Sequence, residues 1–273
     1  MPGGPVPCDP GRVDRGAVSD VLLTADATGE LPRLGGMARA NGVVIASEHF
    51  WAFATRDGGL REGSMPSPPR LVGRVPLLRG LVRLASALTP LFRGAGVARR
   101  AERLFLVGAL LAPLSLVFLP HWASLPLGVV TAVVLLGWML RGRTLFLHGA
   151  EHRAIAAVEE RRLVATWLGS ARPSRFAPRC GTNFAALVVP VSLGFDRLLP
   201  LPAALWTPFV VTLISLALTM ELWQVVQAST SRAARAFLLP GLALQRLTTR
   251  EPAHEETQIA LTAVASVLRR ELG

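Results

Sequence analysis

The chain has 273 residues, of which 51% are hydrophobic, and a formal net charge of +11. With the apolar residues gathered in blocks, this composition points away from an ordinary soluble domain and leaves room for several membrane spans. All 29 basic residues are arginine, and because they flank apolar runs they are expected to orient spans and meet anionic headgroups, not nucleic acid; two cysteines, Cys8 and Cys180, cannot build a disulfide framework and suit a reduced, cytoplasm-facing environment.

Residues 1–33 are rich in Gly, Pro and Asp, lack a continuous apolar stretch of the kind a cleavable signal needs, and read as a disordered lead. The segment 34–103 includes, from Gly42, "GVVIASEHFWAFATRDGGLREGSM", where an aromatic and β-branched run meets Asp57-Gly58-Gly59 and a shorter second run. That pattern predicts a small β-hairpin. Leu78, Leu81, Val82, Leu84 and Leu88, interleaved with Arg79 and Arg83, then predict an amphipathic helix lying on a membrane surface.

Two apolar runs in 104–147, "LFLVGALLAPLSLVFLP" and "LPLGVVTAVVLLGWML", are separated only by "HWAS" and predict a transmembrane helical hairpin. Arg93, Arg99, Arg100 and Arg103 precede it and Arg141 and Arg143 follow it, so both outer ends are expected on the cytoplasmic side. Residues 148–182 hold a charged helix and a Gly/Pro/Arg loop. A second hairpin is expected in 183–230, turning at "DRLLPLP", where Asp196 and Arg197 read as solvated; Pro190 and Gly194 interrupt its first arm. In 231–273 an interfacial segment precedes a helix opened by Pro252, with Ile259, Ala263, Val264, Val267 and Leu268 as its apolar stripe. The predicted fold is therefore an α-helical polytopic membrane protein: about four transmembrane helices in two hairpins, in the cytoplasmic membrane with both termini inside, plus a small N-terminal β-hairpin.

Chemistry concentrates in "FLHGAEHRAI". His148 and His152 lie one helical turn apart with Glu151 beside them, a His-x-x-Glu-His spacing in which two imidazoles bind zinc and the carboxylate acts as base or orienter. A catalytic zinc takes three protein ligands and leaves one position for water. Cys180, in the loop "PRCGTNF", is the best third ligand; Arg179 and the Gly181 amide would help hold it as thiolate. Glu221, within an apolar run, is a second catalytic candidate, or else the partner of an arginine near the end of its span. His49, His121 and His254 lack ligand spacing and read as structural or surface residues.

The motifs "FLHGAEHRAI", "APRCGTNF" and "PGLALQRLTTREP", in that order from roughly Leu34 onward, resemble the YqhQ family of bacterial multi-pass membrane proteins, a family of unknown function described as predicted metal-dependent enzymes. The resemblance implies a shared polar centre of His148, Glu151, His152 and Cys180, with Glu221 and the segment from Gln245 to Pro252 as further matching positions. Two departures stand out. The family's Gly-Gly-Gln-Ala motif and following Glu-Gly pair appear here as "GGMARANGVV", with Met37 and Asn41 replacing the glutamine and glutamate, and the histidine before Pro-Arg-Cys is Ala177.

Two functional expectations follow. The first is a zinc-dependent, hydrolase-like enzyme acting at the cytoplasmic face on a lipid or membrane-protein substrate. The second is a non-catalytic membrane scaffold with a structural metal site, whose partner is a translocation or quality-control complex or another copy of the chain. A transporter built on Glu221 is a thinner reading, since four spans with one acid make a poor pathway.

Overall fold

The structure, a computed structural model, describes residues 14–67, 72–94, 96–104, 107–108, 126–127, 130, 133–134, 137, 142–198, 206–229 and 231–273. It divides into two compact units.

The first unit combines residues up to 64 with 146–175 and 251–273. Its centre is a four-stranded antiparallel meander of β1 (Gly35–Arg39), β2 (Gly42–Ala46), β3 (Phe50–Thr55) and β4 (Leu60–Ser64), paired in chain order. The pairing Arg39↔Gly42 leaves only Ala40 and Asn41 for the first turn. Ser47 shapes the second, donating to the Phe50 carbonyl and accepting from the Phe50 amide. Gly58, at φ +85°, provides the left-handed residue in the third.

The two central strands are buried along nearly their whole length. Val43, Ile45, Ala52 and Ala54 join a core with α10 (His254–Leu272), which lies across β2 and β3 and inserts Ala260, Leu261, Val264 and Leu268. Each large side chain fully removed from water here contributes about 1.5–3 kcal/mol. Leu147, Ala150, Ala154, Ile155 and Val158 of α4 (Thr144–Glu159) enter the same core, as do Leu163 and Trp167 of α5 (Leu163–Trp167).

Residues 15–27, expected to be part of a disordered lead, form helix α1 (Arg15–Ala27), with Asp14 accepting from the Gly16 amide at 2.9 Å as N-cap. Val18, Leu22 and Ala25, spaced i, i+4, i+7, are its buried stripe. Reciprocal caps bind α1 to the α4–α5 link. Arg161 donates to the carbonyls of Ala25, Thr28 and Gly29, while the Asp26 carboxylate accepts from the Leu163 and Val164 amides at 3.0 Å each.

The second unit comprises 65–145 and 176–250. Its described elements include α2 (Leu78–Ala87), α3 (Thr89–Arg93), α6 (Gly181–Leu198), α7 (Thr207–Ala228), α8 (Arg232–Ala236) and α9 (Leu239–Thr248). α6 packs against both α7 and α9, and α2 against α7. Glycines permit the closest approaches: a Cβ on Gly80 would lie 3.1 Å from the Ala217 carbonyl, and one on Gly241 would overlap Asn183.

These elements overturn the expectation of an α-helical polytopic membrane protein. The fold is mixed α and β, and the N-terminal hairpin is half of a four-stranded sheet. Among the described residues one helix, Phe209–Ala228, is long and apolar enough to cross a membrane; the apolar stretch in α6 runs only over Gly181–Ser192. Part of the physical reason lies in where apolar residues go: those of the strands and of the α10 stripe, which raise the apolar content, cover one another in a protein core. The hairpin expected in 104–147 falls largely outside the described residues, as do Cys8 and His121.

Candidate metal centre

α4 carries His148, Glu151 and His152 on adjoining positions of its buried surface. The two imidazoles meet edge to face with centroids 4.4 Å apart, as the i, i+4 spacing requires. His152 is 1% exposed. Burial, together with neighbouring His148, pushes its pKa down to about 3 against the opposing pull of the Arg175 carbonyl, so the ring is neutral, the form that ligates metals. Nδ1 lies 2.7 Å from that carbonyl, which can only accept, so Nδ1 carries the proton and Nε2 the free lone pair. Nε2 is buried and has no hydrogen-bond partner among the described residues.

Glu151 is 4% exposed, and burial pushes its carboxyl up to about 8, opposed by a hydrogen bond from the Ala38 backbone of β1. It is therefore largely protonated at neutral pH. Its side chain occupies the space that a side chain at position 36 would need: a Cβ there would lie 2.6 Å from Glu151 Cγ. Gly36 was not singled out by the chemical motifs, although its Gly-Gly context was visible. The strand residues Met37 and Ala38 flank the contact, while Asn41 sits in the β1–β2 turn.

Cys180, 8% exposed, directly precedes α6. Its sulfur accepts from the Thr182 amide at 3.4 Å and the Thr182 hydroxyl at 3.2 Å, an arrangement suited to a thiolate ligand. The loop before it is held firmly. Gln245, fully buried on α9, donates to the Ala177 carbonyl at 2.7 Å and accepts from the Ala177 amide at 2.9 Å. Asn183 donates to the carbonyls of Ala177 and Pro178. The sequence pointed to Arg179 and the Gly181 amide for holding Cys180 as thiolate; Thr182, which donates to the sulfur, and Asn183 were in view within "PRCGTNF" but had no metal-binding signature of their own.

One ligand atom from each of His148, His152 and Cys180 lies within 4.8 Å of the other two. Ligands of a tetrahedral zinc stand about 3.5 Å apart, given bonds of about 2.1 Å to nitrogen and 2.3 Å to sulfur. The group could hold a metal ion, and the unpartnered Nε2 of His152 fits that role.

Glu221 is placed elsewhere, in α7. Arg79 donates to it from Nε at 2.8 Å and from Nη2 at 2.5 Å, and the Leu77 amide, at a residue with φ +67°, adds a bond at 3.3 Å. Of the two alternatives open in the sequence, pairing with an arginine is the one observed. His49 lies 3.2 Å from Glu271, and His254 begins α10.

The comparisons agree with the motifs. The model of a family described as "Protein of unknown function (DUF1385)" matches residues 117–270. The chain is also 26% identical over 299 residues to the "Uncharacterized protein YqhQ" of Bacillus subtilis (strain 168), an alignment covering 88% of this chain and 93% of that one. No solved structure matches. With its His-x-x-Glu-His helix and Cys180 loop inside the matched region, the chain belongs to the DUF1385 family of YqhQ-like proteins.

Proposed function

We propose that the protein is a zinc-dependent, hydrolase-type enzyme working at the cytoplasmic face of a membrane on a lipid or membrane-protein substrate. The observation that carries the reading is His152: a neutral, buried imidazole with Nδ1 committed to a carbonyl and Nε2 unpartnered beside a second histidine. Two imidazoles and a thiolate form a donor set suited to zinc, and three protein ligands leave a fourth position for water. Bound zinc would supply a water acidified to near neutral pH.

Within this reading His148, His152 and Cys180 hold the ion. Glu151, with a pKa near 8, carries a proton in the range where it can be exchanged during turnover. The helix Phe209–Ala228 supports the assignment to a membrane by its length and apolarity. Glu221 stays outside the proposed chemistry because its carboxylate is committed to Arg79.

Two observations favour a second reading, a scaffold with a structural metal. Glu151 is engaged with β1, and His152 is almost completely shielded from solvent. Cobalt substitution separates the two readings. An open catalytic position changes the visible spectrum of the cobalt protein when azide or a small thiol is added, whereas a closed structural site leaves the spectrum unaltered.

A further inference from the structure

A cavity of about 210 Å³ opens in the first unit between the segment after α5 and the start of α10. Arg153, Thr166, Arg172, Glu251, His254 and Thr257 are among the residues lining it. The neighbouring candidate metal centre uses none of them.

Arg153 sits at the base, with only 8% of its side chain exposed. A guanidinium has five N–H donors and stays charged when buried, so it needs partners. Nε donates to the Pro173 carbonyl at 3.1 Å and Nη2 to Glu251 at 2.5 Å, and Nη1 has no partner among the described residues. The partner Glu251 is itself 59% exposed, so one side of this ion pair is open to exchange with solvent and solutes. At the rim, Arg172 is exposed and has no hydrogen-bonding or ionic partner among the described residues. Arg175 Nη1 also lies 3.9 Å from Glu251, so the carboxylate lining the cavity is shared by two arginines while Arg172 adds a third positive charge.

Close packing shapes the same wall: a Cβ on Gly169, at φ +79°, would approach the His254 ring at 3.3 Å. Ala253, the N-cap of the 19-residue α10, has no side-chain oxygen to offer the first-turn amides. Glu256 instead accepts from the Ala253 amide at 2.8 Å, and with Glu255 it sets two carboxylates against the helix dipole, so the positive charge of the site comes from its arginines.

We propose that this cavity binds the phosphate group of a small ligand, with Arg153 Nη1 and Arg172 as its charged donors. The entering dianion competes with Glu251 for Arg153, so Glu251 tunes the affinity downward. Phosphate suits the site because it offers several acceptor oxygens to guanidinium donors converging from α4 and the loop after α5. The cavity has room for a phosphate and a short organic stem, so the group can arrive free or on a glycerol-type headgroup. This inference does not depend on the metal reading.

Isothermal titration calorimetry of the purified full chain at constant ionic strength, with inorganic phosphate in one series and glycerol 3-phosphate in another, tests it. The wild type binds at least one of the two saturably. Arg172→Ala weakens binding by about tenfold without lowering the melting temperature of the free protein, because Arg172 makes no described bond to lose. Glu251→Gln strengthens binding. Tighter binding of glycerol 3-phosphate assigns the cavity to an organic phosphate, and tighter binding of inorganic phosphate to the free anion. Absence of saturable binding to both ligands, or unchanged affinity in Arg172→Ala, overturns the proposal.

Discussion

Gly36 on β1 faces Glu151 on α4 so closely that a methyl group on the glycine would overlap the carboxylate side chain, at 2.6 Å from Cγ and 2.8 Å from Cδ. A strand in the first forty residues and a helix more than a hundred residues later are thus fitted to one another at the candidate site. Gly36 is itself exposed, but the Glu151 side chain it faces is buried, so Gly36→Ala should destabilise the protein by about 1–3 kcal/mol, the usual cost of forcing an extra carbon against packed neighbours. Denaturant titration of the single variants and of Gly36→Ala combined with Glu151→Ala provides the check. The double variant should cost less than the sum of the two, because removing the longer side chain relieves the clash.

Glu151 also gives the metal-free protein a predictable pH response. Its carboxyl, ordinarily near 4.5, is raised to about 8, so between these values the folded state holds a proton that the unfolded state has released. Folding stability associated with this group is therefore complete below about pH 4.5 and is lost as pH rises to 8. His152 acts in the opposite sense. Its folded pKa of about 3 lies below the ordinary 6.5, so its contribution is full above pH 6.5 and falls as the solution is acidified. Melting temperatures measured from pH 5 to 9 in chelator should show the alkaline decline, and Glu151→Gln should flatten it.

The α1 caps give a third test. Asp26→Ala removes the acceptor for two amides at the start of α5 and should cost about 1 kcal/mol, a typical loss for a helix cap. Arg161→Ala leaves three carbonyls near the end of α1 without their donor and should cost about 1–3 kcal/mol. Amide hydrogen exchange should locate the loosening in α1 in both variants; exchange unchanged there would show that α1 is held by its apolar stripe alone.

Gln245→Leu is expected to loosen the loop that carries Cys180. The glutamine is the acceptor for the Ala177 amide and shares the Ala177 carbonyl with Asn183, so its loss strands the amide at about 1–3 kcal/mol. A faster reaction of Cys180 with a thiol reagent in metal-free Gln245→Leu than in metal-free wild type would report the loosening directly.

The histidine pair and the stripe of α10 were legible in sequence because both depend on helical spacing alone, which survives any choice of packing partner. The β3–β4 turn at Asp57-Gly58-Gly59 was legible for a similar local reason. β1 was not, since Gly35 and Gly36 have low strand propensity and are placed by pairing with β2 and by contact with Glu151. α1 was hidden by the polar residues around Val18, Leu22 and Ala25, although their spacing was already helical. The larger error was in reading apolar content as lipid contact. Periodicity shows that Val264 and Leu268 share a face, but only the sheet beneath them shows that the face meets protein. Likewise, no local pattern in "LTMELWQ" pairs Glu221 with Arg79, 142 residues away in sequence.

The most direct test of the central claim is the metal content of purified protein after zinc loading and removal of excess, comparing wild type with His152→Ala, Cys180→Ala and, as a control, His49→Ala. One zinc ion per chain in wild type and His49→Ala, absent from the other two, is the result predicted. A folded wild-type protein that retains no metal, or one that retains zinc equally in His152→Ala and Cys180→Ala, would contradict it.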